Sequence, residues 1–248
     1  MSDKPTFGRD INEFLCSRGE PLGDTALARA SKDESYGILL RSAKPLGDER
    51  VVLRISISNP SGCEELEAVV LTEHFRAMDI SLGALSEDMM PEIEYWAEVA
   101  RAYFSACSSF SYTPSSLSAL ERKLIQKGFP KDVACDAIAS VKSRGFVNEK
   151  QIALRRAQLC VEKKWGRSRI LMKLKEEGFG EASLGEARAF LDTVNFAENC
   201  AEVIKRKLGE MPEDRHEREL MYASLSRMGY SASDIRAAKE IAKNDREK

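Results

Sequence analysis

The sequence predicts a mainly α-helical protein in which three tandem three-helix repeats form an elongated, curved array behind a small N-terminal module with a β-hairpin. Three observations predict this: apolar alternation over residues 51–57, helical periodicity from Pro91 onward, and self-similarity at a fifty-residue period inside the helical part. With 248 residues, 43% of them apolar, the chain has the material for a sizeable core.

Residues 1–48 show no sustained period and carry the turn-prone pieces "RGEPLGD" and "AKPLGDE". An irregular segment is expected there, with at most a short helix near "INEFLCS" or "TALARA". Residues 49–90 form the hairpin module. Val51, Leu53, Ile55 and Ile57 alternate, Asn59-Pro60-Ser61-Gly62 supplies the turn, and the chain returns through Leu66 to Leu71. A lone hairpin is marginal in water, so its apolar face needs a helix, for which "TEHFRAMDI" is the candidate.

Three helical repeats are expected at 91–145, 146–195 and 196–248. Trp96, Phe146 and Phe196 lie fifty residues apart; so do Leu124 and Leu174, with Leu225 one residue late, and Leu120, Ile170 and Met221 follow the same offsets. The helix ends "LIQKGF", "LKEEGF" and "LSRMGY" each place a glycine four residues after the leucine, followed by an aromatic. Such a glycine takes the left-handed conformation after the last helical turn, and the aromatic folds back on that turn. Helix starts follow at Pro130-Lys131-Asp132 and at the capping box of Ser231 and Asp234. The repeats share a scaffold but not a surface: Arg155 and Arg156 match Lys205 and Arg206, whereas the first copy has Ser105 and Ala106 there.

The formal net charge of -2 hides an asymmetry, because residues 1–100 hold 10 basic and 19 acidic side chains and residues 101–248 hold 28 and 21. Residues 150–175 contain nine basic side chains and one acid, Glu162. A basic rear half suits a polyanion or an acidic protein face. On a helix over 151–164, Ala153, Leu154, Ala157, Cys160 and Val161 point to the core, while Arg155, Arg156, Glu162 and Lys163 share the opposite arc with Ile152 and Leu159. Those two apolar residues either pack on a neighbouring helix or form an apolar strip rimmed by cations. Lys163, Lys164, Trp165, Gly166, Arg167 and Arg169 form the turn into the next helix, capped by Ser168, and Lys173 extends the patch. Trp165 is placed to stack on a base, pack on a partner or brace the turn.

Other chemistry is absent from the sequence. It contains no phosphate-binding loop of the G-x-x-x-x-G-K-[ST] type and no strand leading into G-x-G-x-x-G. His74 and His216 have no Cys or His at metal spacing and are read as ordinary surface residues. The six cysteines form no C-x-x-C pair and are expected to be reduced, buried thiols. No apolar run approaches a bilayer span and the start "MSDKPTFGRD" lacks the order of a secretory signal, so a cytoplasmic protein is expected, with no catalysis, no cofactor and no membrane partner. A repeat array buries its own core, which favours a monomer.

The pattern "LxxKLxxKGF…RGFVNEKxxA…KKWGRSRIxxxLKEEGF" resembles the RecX family of RecA modulators over residues 92–240. The resemblance implies three tandem three-helix repeats and docking in the groove of a RecA filament on DNA, with inhibition of strand exchange, ATP turnover and co-protease activity. Arg155, Arg156, Lys163, Lys164, Trp165, Arg167, Arg169, Lys173, Lys205 and Arg206 are the candidate contacts to RecA, to DNA, or to both. The sequence departs from the family at Asn148-Glu149, where an acidic pair is usual, and in its long N-terminal extension. The competing reading is a stand-alone helical nucleic-acid-binding protein, suggested by the helix-turn-helix-like spacing of "GRSRILMKLKEEGF".

Overall fold

A computed structural model describes residues 37–59, 62–208 and 214–244. The short helix considered near "INEFLCS" or "TALARA", Cys16, and the Pro60-Ser61 centre of the hairpin turn lie outside these residues. The described residues divide into two compact units: those up to Ala106 together with Lys127–Ser140, and Cys107–Gln126 together with those from Val141 onward. Among the described residues the protein is mainly helical, with a small antiparallel sheet ahead of the helices.

In the first unit, β1 (Gly37–Leu46), β2 (Arg50–Asn59), β3 (Gly62–Leu71) and β4 (Gly83–Leu85) form one sheet in the order β3-β2-β1-β4. The expected hairpin is β2–β3, with Val51 opposite Val70, Leu53 opposite Ala68 and Ile55 opposite Leu66. The irregular segment expected over residues 1–48 is corrected over Gly37–Leu46 by β1, which pairs with both β2 and β4, while residues 1–36 lie outside the described residues. Its sequence hides the strand because a bulge between Leu40 and Ser42 breaks the alternation, so that the buried residues are Leu40 and Ala43, three apart. Proline at position 45 further obscures the reading.

The apolar sheet face is covered as a marginal sheet requires. α1 (Thr72–Met78) places fully buried Phe75 against Leu40, Val51, Leu53 and Val70, and Ile93 of α2 (Met89–Tyr112) joins the same core. Burying Phe75 contributes about 2–3 kcal/mol of transfer free energy. The surface role read for His74 is corrected. Its side chain is only 12% exposed, its ring stacks on Trp96 with centroids 4.0 Å apart, and its Nε2 lies 3.4 Å from Ser140 Oγ on α4 (Lys131–Ser143). Tyr95 of α2 donates to Asp136 Oδ2 of α4 at 2.6 Å. His216 is exposed.

The second unit contains α3 (Leu117–Gln126), α5 (Glu149–Glu162), α6 (Arg167–Glu176), α7 (Glu181–Asp192), α8 (Phe196–Leu208), α9 (Arg215–Arg227) and α10 (Ala232–Asn244). One core runs from Ala153 and Ala157 through Ile170, Leu174 and Leu191 to Met221 and Leu225. The recurring positions Leu120, Ile170 and Met221, and Leu124, Leu174 and Leu225, are all buried. The recurring aromatics differ: Phe196 is buried, whereas Phe146 is 42% exposed and meets Phe110 edge-on at 5.6 Å.

The expected glycine helix ends are present, with φ of +94° at Gly128, +84° at Gly178 and +93° at Gly229. After Gly178 and Gly229 the next amide reaches five residues back, Phe179 N–H to the Leu174 carbonyl and Tyr230 N–H to the Leu225 carbonyl, each at 3.2 Å. The capping box at the start of α10 is reciprocal: Asp234 N–H donates to Ser231 Oγ at 3.1 Å, and Ser231 N–H to Asp234 Oδ2 at 2.9 Å. The expectation of buried thiols is corrected for most of the described cysteines. All five are free, but only Cys200 is buried, while Cys63 and Cys135 are exposed.

Candidate functional site

The ten candidate contact residues all lie in the second unit, on α5, on the turn into α6, on α6 and on α8. Helix α5 ends at Glu162, with Lys163 as its C-cap residue. Lys164 then adopts φ +58°, a left-handed conformation that a lysine takes at some cost. The usual pair of closing bonds is made, Lys164 N–H to the Val161 carbonyl at 2.8 Å and Trp165 N–H to the Cys160 carbonyl at 3.1 Å. The cap assigned to Ser168 is corrected: α6 begins at Arg167, behind Gly166. Ser168 is drawn away because its Oγ donates to the Gly229 carbonyl at 2.8 Å.

That bond belongs to a tight junction. Gly166 N–H donates to the Met228 carbonyl at 2.8 Å, Ser168 N–H to the Gly229 carbonyl at 3.2 Å, and Tyr230 hydroxyl to the Lys164 carbonyl at 2.7 Å. Backbone meets backbone so closely that a Cβ on Gly166 would lie 2.1 Å from the Gly229 carbonyl carbon. A related junction stands about fifty residues earlier. There Ser116 Oγ donates to the Glu177 carbonyl at 2.5 Å, and Glu149 Oε1 receives Leu117 N–H at 2.9 Å at the start of α3. Sequence reading missed Glu149 and Gly166 as junction residues. The one available signal was the matching offset of Ser116 to Gly166 and Ser118 to Ser168.

The junctions sort the cations. Arg156 reaches the Pro114 carbonyl with Nη2 at 3.3 Å and Glu177 with Nε at 3.8 Å. Lys164 Nζ is held by Asn199 Oδ1 at 2.9 Å and Glu202 Oε2 at 2.7 Å. Arg167 pairs with Asp192 at 2.5 Å, and Lys173 with Glu176 at 3.9 Å and Glu177 at 3.8 Å. The Arg169 guanidinium lies 4.0 Å over the Trp165 ring, which packs against the core, so Trp165 braces this turn. Arg155, Lys163 and Arg206 are exposed and make no ion pair among the described residues, and Lys205 is exposed. Arg155 and Lys205, one fifty-residue period apart, thus both reach the surface. Of the two apolar residues on the mixed face of α5, Ile152 packs against the core and Leu159 is half-buried.

The thiols and phenol behind this surface are held neutral. Burial pushes Cys200 from its ordinary 9.0 up to about 12, with Asp234 adding to the effect. Burial also raises the Cys160 thiol, as does the Glu177 charge, and it raises the Tyr230 hydroxyl. Among the described residues no three potential metal ligands come together, and no helix is long and apolar enough to cross a membrane. What the arrangement offers is a helical surface with exposed point charges.

No protein-family model matches the sequence. No curated protein matches it either. Among solved structures, a crystal structure of regulatory protein RecX is similar, with a TM-score of 0.62 and 16% sequence identity over 84% of this chain and 99% of that chain. At this identity the likeness is one of architecture: helices behind a small antiparallel sheet make a RecX-like fold.

Proposed function

We propose that this protein is a RecX-like regulator, not an enzyme, that binds the RecA–DNA filament through the exposed cations of the second unit and inhibits strand exchange, ATP turnover and co-protease activity. The observation that carries the reading is the fold match, which extends over 84% of this chain and 99% of the RecX chain. In this reading the three helical stretches act as tandem three-helix repeats in a curved array, and the two related junctions support such stacking. Arg155, Lys163, Lys205 and Arg206 make the electrostatic contact. Arg156, Lys164, Arg167, Arg169 and Lys173 hold the surface in shape through the partners described above.

Co-sedimentation with RecA on single-stranded DNA across a salt series tests the proposal. Binding that requires RecA and weakens with salt supports it, with a slope of about 0.7 for each single-strand phosphate neutralised. Equal binding to DNA without RecA replaces it with the stand-alone nucleic-acid-binding reading.

A further inference from the structure

In the first unit β3 is the outer strand of the sheet. It pairs with β2 along its whole length, and among the described residues no strand pairs with its other side. Glu64, Leu66, Ala68 and Val70 alternate on the face that carries Ile57, Ile55, Leu53 and Val51 of β2. Burial fades along this row: Val70 is buried, Ala68 and Leu66 are half-buried, and Glu64 is exposed. Helix α2 passes the half-covered row and leaves a groove of about 700 Å³, with Leu66 and Ala68 on the strand wall and Ile93, Ala97, Ala100 and Phe104 on the helix wall. The helix residues recur at helical spacing and form one apolar stripe. A free strand edge beside an apolar stripe is the geometry that an added strand fills, its main chain pairing with the edge and every second side chain entering the groove.

Charge selects the occupant. On the opposite face, where the remaining side chains of an added strand project, Glu67 meets Arg54 Nε of β2 at 3.2 Å and Glu65 lies opposite Ser56; Glu64 ends the row on the groove face, and neither Glu64 nor Glu65 meets a cation among the described residues. Glu94 adds a further carboxylate on the helix wall. The two arginines at the rim are engaged, Arg50 lying 4.8 Å over the Phe104 ring and Arg101 pairing with Glu98 at 2.8 Å. A second copy adding through its own β3 would set glutamates against glutamates, which opposes that pairing. We propose that this groove takes an extended segment of a partner protein in which apolar and basic residues alternate, added to the sheet beside β3. The inference is independent of the cationic surface of the second unit.

A labelled peptide of alternating lysine and valine, about ten residues long to match β3, is titrated into the full chain by fluorescence anisotropy. A glutamate–valine peptide of the same length runs alongside. The lysine–valine peptide is expected to bind and to slow amide exchange over residues 62–71, and the glutamate–valine peptide to do neither. Ala97→Trp, which fills the groove from the helix wall, and the pair Glu64→Lys with Glu65→Lys should each weaken binding about tenfold or more at unchanged Tm. Absence of lysine–valine binding, equal affinity for both peptides, or binding that leaves β3 exchange unaltered overturns the proposal. The exchange measurement uses the unsubstituted protein and therefore decides even where a variant fails to fold. Protection of β3 in a concentration-dependent dimer, without peptide, also overturns it.

Discussion

Gly166→Ala is the substitution whose outcome the junction geometry fixes most tightly. The new Cβ would stand 2.1 Å from the Gly229 carbonyl carbon, 2.3 Å from its oxygen and 2.3 Å from Tyr230 N. Carbon atoms at rest lie about 3.5–4.0 Å apart, so the two turns must separate by more than an ångström, and every atom in the way is backbone. Separation weakens the bonds from Gly166 and Ser168 to the Met228 and Gly229 carbonyls. Overpacking contributes about 1–3 kcal/mol and each lost hydrogen bond about 1 kcal/mol, which puts the loss at about 3–5 kcal/mol. Three glycines grade the effect. Gly178→Ala meets Ser118 Cβ at 2.9 Å with φ +84° and should lose less, and Gly128→Ala, with φ +94° but open space, should lose only the backbone strain of about 1–3 kcal/mol. Gly185 lies exposed inside α7 with nothing within 4 Å, so alanine there should stabilise by about 0.5–1 kcal/mol. Urea unfolding followed by Trp165 fluorescence in a Trp96→Phe background reads the second unit, and Trp96 fluorescence in a Trp165→Phe background reads the first, which holds Gly128, since the protein has 2 tryptophans. A Gly166→Ala protein as stable as Gly185→Ala would refute the reasoning.

The remaining predictions concern titration and charge. Because the Cys200 pKa is raised from 9.0 to about 12 in the folded state, its contribution is fully present below pH 9 and is lost as pH climbs toward 12. Stability should fall by about 1.4 kcal/mol per pH unit through this group, and Cys200→Ala should flatten the slope of unfolding free energy between pH 9 and the folded pKa; an unchanged slope contradicts the assignment. Cys63 and Cys135 should react with a thiol reagent in the native state while Cys200 waits for unfolding, which timed labelling reads. Arg155→Ala should leave Tm unchanged, whereas Arg156→Ala loses contacts with Pro114 and Glu177 and should destabilise by about 0.5–1 kcal/mol by urea titration.

What the sequence disclosed follows from where local chemistry decides structure. The hairpin β2–β3 was legible because both faces of the alternation survive intact, and the helix ends at Gly178 and Gly229 because glycine followed by an aromatic has a specific backbone use. Strand β1 was not legible, since its bulge breaks the period between Leu40 and Ala43, and its second pairing is with β4, far along the chain at Gly83–Leu85. The basic cluster was legible as a cluster but not in its division. Whether a lysine meets solvent or an acid depends on residues such as Asn199 and Glu202 that no short-range pattern connects to Lys164. Likewise His74 gave no sign that Trp96 and Ser140 would close around it.

The proposed function rests on Arg155, Lys163 and Arg206, exposed and without ion pairs among the described residues, meeting a polyanionic filament. Its most direct test is the RecA–single-stranded DNA affinity of the protein carrying Arg155→Glu, Lys163→Glu and Arg206→Glu. The expected result is a loss of about tenfold or more with a shallower salt slope and an unchanged Tm. Parental affinity and parental salt dependence in that variant would contradict it.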